Sequence, residues 1–207
     1  MGLYEAVSGR RSIRKFKDRA VPEEDIIELI RLASRAPSAG NHQMWHFTVI
    51  TSGAVKEKMA GAVVETFKKI TASAGQEEGW MEGPTRAATF FKNAPVVIAL
   101  STFRYVSRVD EALQMAGKSR QEIDELRCRP DLQSAGAAVQ TLLLAAYQKG
   151  LGGCYMTGPM GARPQLEEIL GVKPPRSLAC LVALGYPDMG PGDKTVKDVS
   201  EITTFIR

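Results

Sequence analysis

The chain has 207 residues, 44% of them apolar and 24% charged, with 27 Lys and Arg against 23 Asp and Glu for a net charge of +4. That length and mixture exclude disordered, fibrous and collagen-like chains and allow one domain with a sizeable core. No apolar run approaches the ~20 residues of a membrane helix. The opening MGLYEAVSGRRS has no apolar stretch behind a basic one, so a secretory leader is not expected. Cys128, Cys154 and Cys180 are odd in number and widely spaced, with no CxxC pair, and His42 and His46 lie far from all three. The expectation is reduced thiols in a cytoplasmic protein, with no disulfide framework and no metal.

In chain order, residues 3–8 suit a short helix before Gly9. Val21-Pro22-Glu23-Glu24-Asp25 is a helix start, since proline fits the first turn and acids there complement the helix dipole. Ile26, Ile27, Leu29, Ile30, Leu32 and Ala33 carry it on as an apolar stripe to Ala36-Pro37. Residues 38–43 read as a loop and 45–51 as an alternating strand with Phe47, Val49 and Trp45 on one face. Helical spacing returns over 54–70 through Val55, Met59, Val63 and Phe67. The Gly-rich polar stretch 71–84 reads as a mobile loop, and 85–92 as helical. The apolar run 94–100 predicts a strand buried on both faces. Residues 104–130 are charged and irregular, with one helix around 119–127, and read as an insertion or lid.

Residues 131–149 predict a helix capped by Asp131 and apolar almost all round, which fits a buried central helix or an oligomer interface. Gly150 stops it. A strand at 151–156, a helix at 163–170 closed by Gly171, and a buried strand at 178–184 lead to a turn-rich stretch and a basic tail. Four or five strands interleave with about five helices, without repeats or a linker. The class is α/β or α+β, with one domain over 1–207.

Three places could carry chemistry. Arg10, Arg11, Arg14, Lys15, Lys17 and Arg19 crowd into ten positions. In an extended segment Arg10, Ser12 and Arg14 share one side, where two guanidiniums and a hydroxyl would suit a phosphate. A solvated basic loop is the plainer reading of the charge alone. The loop Pro37-Ser38-Ala39-Gly40-Asn41-His42-Gln43 offers amides that pair with a heterocycle edge, or is a simple turn. Gly152 and Gly153 allow close approach to a flat ligand, or serve only the turn into a strand. Cys154 has no spaced His–acid partner and reads as a small core residue. GxGxxG, GxxxxGK[ST], HExxH and GxSxG are all missing. Only 7% of residues are aromatic and the basic excess is local, so no nucleic-acid partner is expected.

Taken together, RRSIRKF (10–16), APSAGNHQMWHFTVI (36–50), KNAPVVIAL (92–100), DLQSAGAAVQTLLLAAYQKGLGGCYMTG (131–158) and LACLVALGYP (178–187) resemble, in order and spacing, the motifs of the nitroreductase family of FMN-dependent oxidoreductases. The resemblance implies an α+β, three-layer fold. Its central sheet is mixed and mostly antiparallel, flanked by helices, in a homodimer with FMN at the subunit interface. It implies that Arg10, Arg11 and Ser12 hold the FMN phosphate and ribityl chain, and that Arg14 reaches the pyrimidine edge of the flavin. Pro37, Ser38 and Ala39 would contact the flavin of the second subunit, and Asn41 and Gln43 would shape that loop. Backbone N–H at Thr157 or Gly158 would face flavin N5, and Lys194 and Lys197 would clamp the phosphate. Met44 stands where the family usually has Pro, and Tyr155 where it often has Trp. Arg86 is the one equivalent of an Asn or Lys that touches the flavin in relatives.

The implied activity is hydride transfer from NAD(P)H to FMN and then reduction of a nitroaromatic, quinone or similar acceptor, with no protein acid–base dyad. A specialised relative that fragments flavin, removes halogen or oxidises heterocycles is the alternative, as is a non-catalytic flavin-binding protein.

Overall fold

In the computed structural model, which describes residues 2–190, 192 and 194–207, the apolar run at 94–100 becomes the central strand β2 (Val96–Phe103), buried from Val96 to Thr102. It lies between β1 (Trp45–Ile50) and β4 (Arg176–Gly185), and β3 (Gly152–Met156) pairs with the far side of β4, giving the order β1-β2-β4-β3. All three pairings are antiparallel. The mixed character expected of the sheet survives only as an isolated parallel bridge between Ser12 and Gly153.

Helices cover both faces. α2 (Glu23–Ala33) and α7 (Pro130–Gln148) pack Leu29, Val139 and Leu142 against Ile98, Leu100 and Val182. On the other face α3 (Gly53–Ser73), α4 (Glu82–Thr89) and α8 (Arg163–Leu170) pack Val63, Ala88 and Leu166 against Val97, Ala99 and Leu181. The two sets alternate along β2 because successive strand side chains point to opposite faces. A bulge resets β4: Leu100 pairs with Cys180 but Ser101 with Leu178, so Ala179 is extra and Leu178 joins the α3 side.

Several expectations need correction. The stretch 71–84 is not an open loop: α3 runs on to Ser73, a 3-10 turn spans Glu78–Met81, and α4 follows at once. The stretch 104–130 holds two short helices, α5 (Arg108–Met115) and α6 (Arg120–Arg127), rather than one. Each starts with a reciprocal cap, Ser107 with Asp110 and Ser119 with Glu122. With α1 (Leu3–Gly9) there are eight α-helices among the described residues, not about five. Asp131 does not cap α7. It sits one residue inside the helix, is 1% exposed, and takes two hydrogen bonds from Arg129, at 2.9 and 2.6 Å. Val49 on the edge strand is 40% exposed. α7 is largely buried within its own chain. Among the described residues no helix is long and apolar enough to cross a membrane.

Candidate functional site

The basic segment after α1 is an extended strip laid along the end of the sheet. Ile13 N donates to Gly153 O at 3.1 Å, Lys17 N to Tyr186 O at 2.9 Å, and Asp188 N to Lys15 O at 3.0 Å. Ile13 points inward and is buried. The glycine pair of β3 makes this docking possible. A Cβ on Gly152 would lie 2.5 Å from Ile13 Cγ1 and 2.9 Å from Pro187 Cγ, and one on Gly153 would lie 2.6 Å from Leu143 Cδ2. The close approach that these glycines permit is therefore to the chain's own strip and central helix.

With Ile13 inward, the alternating positions Arg10, Ser12 and Arg14 come together beside Cys154. Burial pushes the Cys154 thiol up, while the Arg14 charge, a hydrogen bond with Ser12 and the Arg10 charge pull it back only in part. Cys154 thus stays a neutral, buried thiol and not a nucleophile. Arg10 and Arg14 make no ion pair among the described residues. Arg10 and Arg11 line a second cavity at the strip, of about 240 Å³, with Ile13, Tyr147 and Pro187. Arg11 Nη1 donates to Ser8 O at 2.6 Å and Arg10 O at 3.0 Å, and its Nε to Gly192 O at 3.1 Å. Lys194 follows two positions later. Lys194 and Lys197 are exposed and line neither of the cavities at the strip.

Arg14 opens onto a cavity of about 400 Å³, with Thr157 and Gly158 on one wall and Phe67, Met81 and Ala88 on the other. Among the described residues Arg14 is the one charged residue that lines it. A cationic, hydroxyl-bearing edge beside apolar walls suits a ligand with an anionic arm and a flat apolar body. Arg86 does not take part. It lies on the opposite side of α4, in a different groove, so it is no counterpart of the Asn or Lys expected there.

The loop 37–43 is built separately. Ala39 N donates to Ser134 Oγ at 3.2 Å, and Gln43 N to Ser38 Oγ at 3.1 Å. Asn41 and Gln43 hold left-handed backbone, φ 54° and 46°, which costs energy outside glycine. His42 meets Tyr105 edge to face at 5.0 Å. Pro37, Ser38, Ala39, Asn41 and Gln43 line neither cavity at the strip. The sequence places Phe67 on a helix but assigns none of Phe67, Met81 and Ala88 to the site. The helical spacing of Phe67 with Val63 was the available signal for one of them.

Comparison with known proteins identifies the family and the fold. The Nitroreductase family model matches residues 7–186. A 4-nitrobenzoate reductase of Nocardioides sp. is 28% identical over 200 residues, 88% of this chain and 79% of that protein. An iodotyrosine deiodinase of Thermotoga neapolitana is 26% identical, covering 90% of this chain and 89% of its own. The solved structure of a BluB-like flavoprotein from Clostridium difficile 630 superposes with a TM-score of 0.89 at 30% identity, over 100% of both chains. With its basic strip, three-layer sheet and family match across most of its length, the chain belongs to the Nitroreductase family.

Proposed function

We propose that this chain is an FMN-dependent oxidoreductase. It takes reducing equivalents from NAD(P)H and passes them to a nitroaromatic, quinone or similar small acceptor by a ping-pong cycle. FMN, when bound, supplies the hydride-accepting and electron-donating chemistry. The observation that carries the reading is the strip itself: Arg10, Ser12 and Arg14 gather around Cys154, the two arginines without ion-pair partners among the described residues, and Arg14 opens onto the cavity that Thr157 and Gly158 line. Arg10 and Ser12 hold the phosphate arm, as a guanidinium matches phosphate with two parallel donors. Arg11 braces the strip through three backbone carbonyls. Arg14 places a fixed positive charge at the pyrimidine edge, where it favours the negative charge of the reduced ring. The backbone at Thr157 and Gly158 faces the hydride-accepting atom, and Lys194 and Lys197 close on the phosphate from the tail.

The reading takes residues 1–207 as one domain and the working unit as a homodimer, with Pro37, Ser38 and Ala39 reaching the partner's cofactor and Asn41 and Gln43 fixing their loop. Two observations support it. The loop lines neither cavity at the strip within its own chain, and both termini expose apolar residues: Tyr4 85%, Phe205 79% and Ile206 97%. The test is FMN affinity and solution mass together. Arg10→Ala is expected to weaken FMN binding by about tenfold or more, the loss of one charge-assisted contact. Unchanged affinity overturns the phosphate role, and a monomer by light scattering overturns the shared site.

A second reading, a specialised relative acting on halogenated or heterocyclic aromatics, draws support from the similarity to a BluB-like flavoprotein and an iodotyrosine deiodinase. Single-turnover reduction of a panel of nitro, quinone and halogenated acceptors separates the two.

A further inference from the structure

The loop 37–43 keeps a costly shape. Gly40 sits at φ 56°, and Asn41 and Gln43 hold the left-handed region without glycine's freedom. Asn41 N donates to Ser38 O at 2.9 Å, His42 N to Ala39 O at 3.1 Å, and Gln43 N to Ser38 Oγ at 3.1 Å. These bonds close the curl on itself, and none of them ties it to a neighbouring element. Ser134 supplies such a tie. It stands one turn into α7, 6% exposed, on the buried face that also carries Asp131, Ala135 and Ala138. Its Oγ accepts from Ala39 N at 3.2 Å and donates to Pro130 O at 2.7 Å. Alanine is the better helix former for this apolar helix, and a serine bonded back to the carbonyl four residues earlier does not strengthen the turn. What the hydroxyl adds is its hold on Ala39.

We infer that Ser134 is a positioning residue for the flavin site of the partner subunit. By holding Ala39 N it sets where Pro37, Ser38 and Ala39 meet the cofactor across the interface. The inference rests on the shared-site reading and adds to it the group that places the loop. Further along α7, Ala138, Val139 and Leu142 are fully buried. The loop is therefore held by a helix whose close packing leaves it no slack, and the contact across the interface is registered from the core of the neighbouring chain.

The test reads FMN affinity by quenching of flavin fluorescence, in dimers assembled from differently tagged chains. In the homodimer Ser134→Ala weakens FMN binding about fivefold, the loss of one neutral hydrogen bond. Hybrids that carry Arg10→Ala and Ser134→Ala then separate a role in the partner's site from a role in the chain's own. With the substitutions on opposite chains, both defects fall on one site, and the dimer keeps one FMN site of wild-type affinity. With both on the same chain, each site takes one defect and no wild-type site is left. The reverse pattern overturns the proposal, because Ser134 then acts within its own chain. Unchanged affinity in the Ser134→Ala homodimer overturns it as well. A dimer that binds FMN yet shows the reverse pattern keeps the FMN reading and loses only the role of Ser134. A protein that is a monomer, or takes up no FMN, loses both.

Discussion

Helix α7 and the α5–α6 pair are neighbours in sequence and are held by opposite means. α7 is fixed by close packing: Ala138, Val139, Leu142 and Ala146 are fully buried, and Leu143 fills the space that Gly153 leaves open. α6 buries no residue at all, and α5 buries only Asp110. Those two helices are held by their caps and by ion pairs of Arg104 with Asp124 and of Arg127 with Asp110, while Met115 is 88% and Leu126 62% exposed. Apolar burial gives one arrangement without slack, whereas half-buried ion pairs offset their Coulomb gain with desolvation and give less net stability. The region that carries the basic strip is therefore rigid, and the α5–α6 pair beside the 37–43 loop opens at low cost.

The largest expected effect is in α7. Leu142→Ala should lower global stability by about 2–5 kcal/mol through lost transfer energy and a cavity, measured by urea unfolding. A loss below about 1 kcal/mol would mean that α7 is not the anchor of its layer. Next comes the strip. Gly152→Val should cost about 1–3 kcal/mol by overpacking against Ile13 and Pro187, and it should weaken FMN binding, because the strip can no longer seat. Unaltered FMN affinity in this variant would separate the strip from the site.

The smallest effect is in α5–α6 and appears with acid. Asp110 is buried, which pushes its carboxyl up, but the hydrogen bonds from Ser107 and the Arg127 charge outweigh this and hold it below the usual carboxylate value. Glu122 is drawn down to about 2 by Lys118 and by the Ser119 cap. Both are depressed in the folded state. The stability they lend is present above the ordinary carboxylate pKa of about 4 and is lost as pH falls toward the folded values. Amide exchange should therefore speed up in residues 108–127 below that pH before it does in α7. Simultaneous loss of protection in both would erase the contrast.

These particulars also explain what the sequence could tell. β2, β4 and α7 were legible because burial on all sides leaves an unbroken apolar run, and Gly150 and Gly171 mark real left-handed stops. The alternation that grouped Arg10, Ser12 and Arg14 was legible for a different reason, since it needs only the period of an extended chain. Residues 71–84 were misread because Gly75, Gly79 and Gly83 suggest a loop, while Phe67 and Met81, packed on distant residues, hold the segment in helical turns. The two caps in 107–122 fit the Ser-x-x-acid pattern but were hidden among irregular charge. Arg86 fell on the far side of its helix because a motif match fixes a residue's place in the chain and not the face from which it projects.

The central claim is tested most directly by the visible spectrum of FMN-loaded protein during anaerobic titration with NADH and then NADPH. The account predicts a bound flavin band that is bleached by one or both and returns when a nitroaromatic or quinone is added. A bound band that neither nucleotide bleaches, or a protein that takes up no FMN, would contradict it.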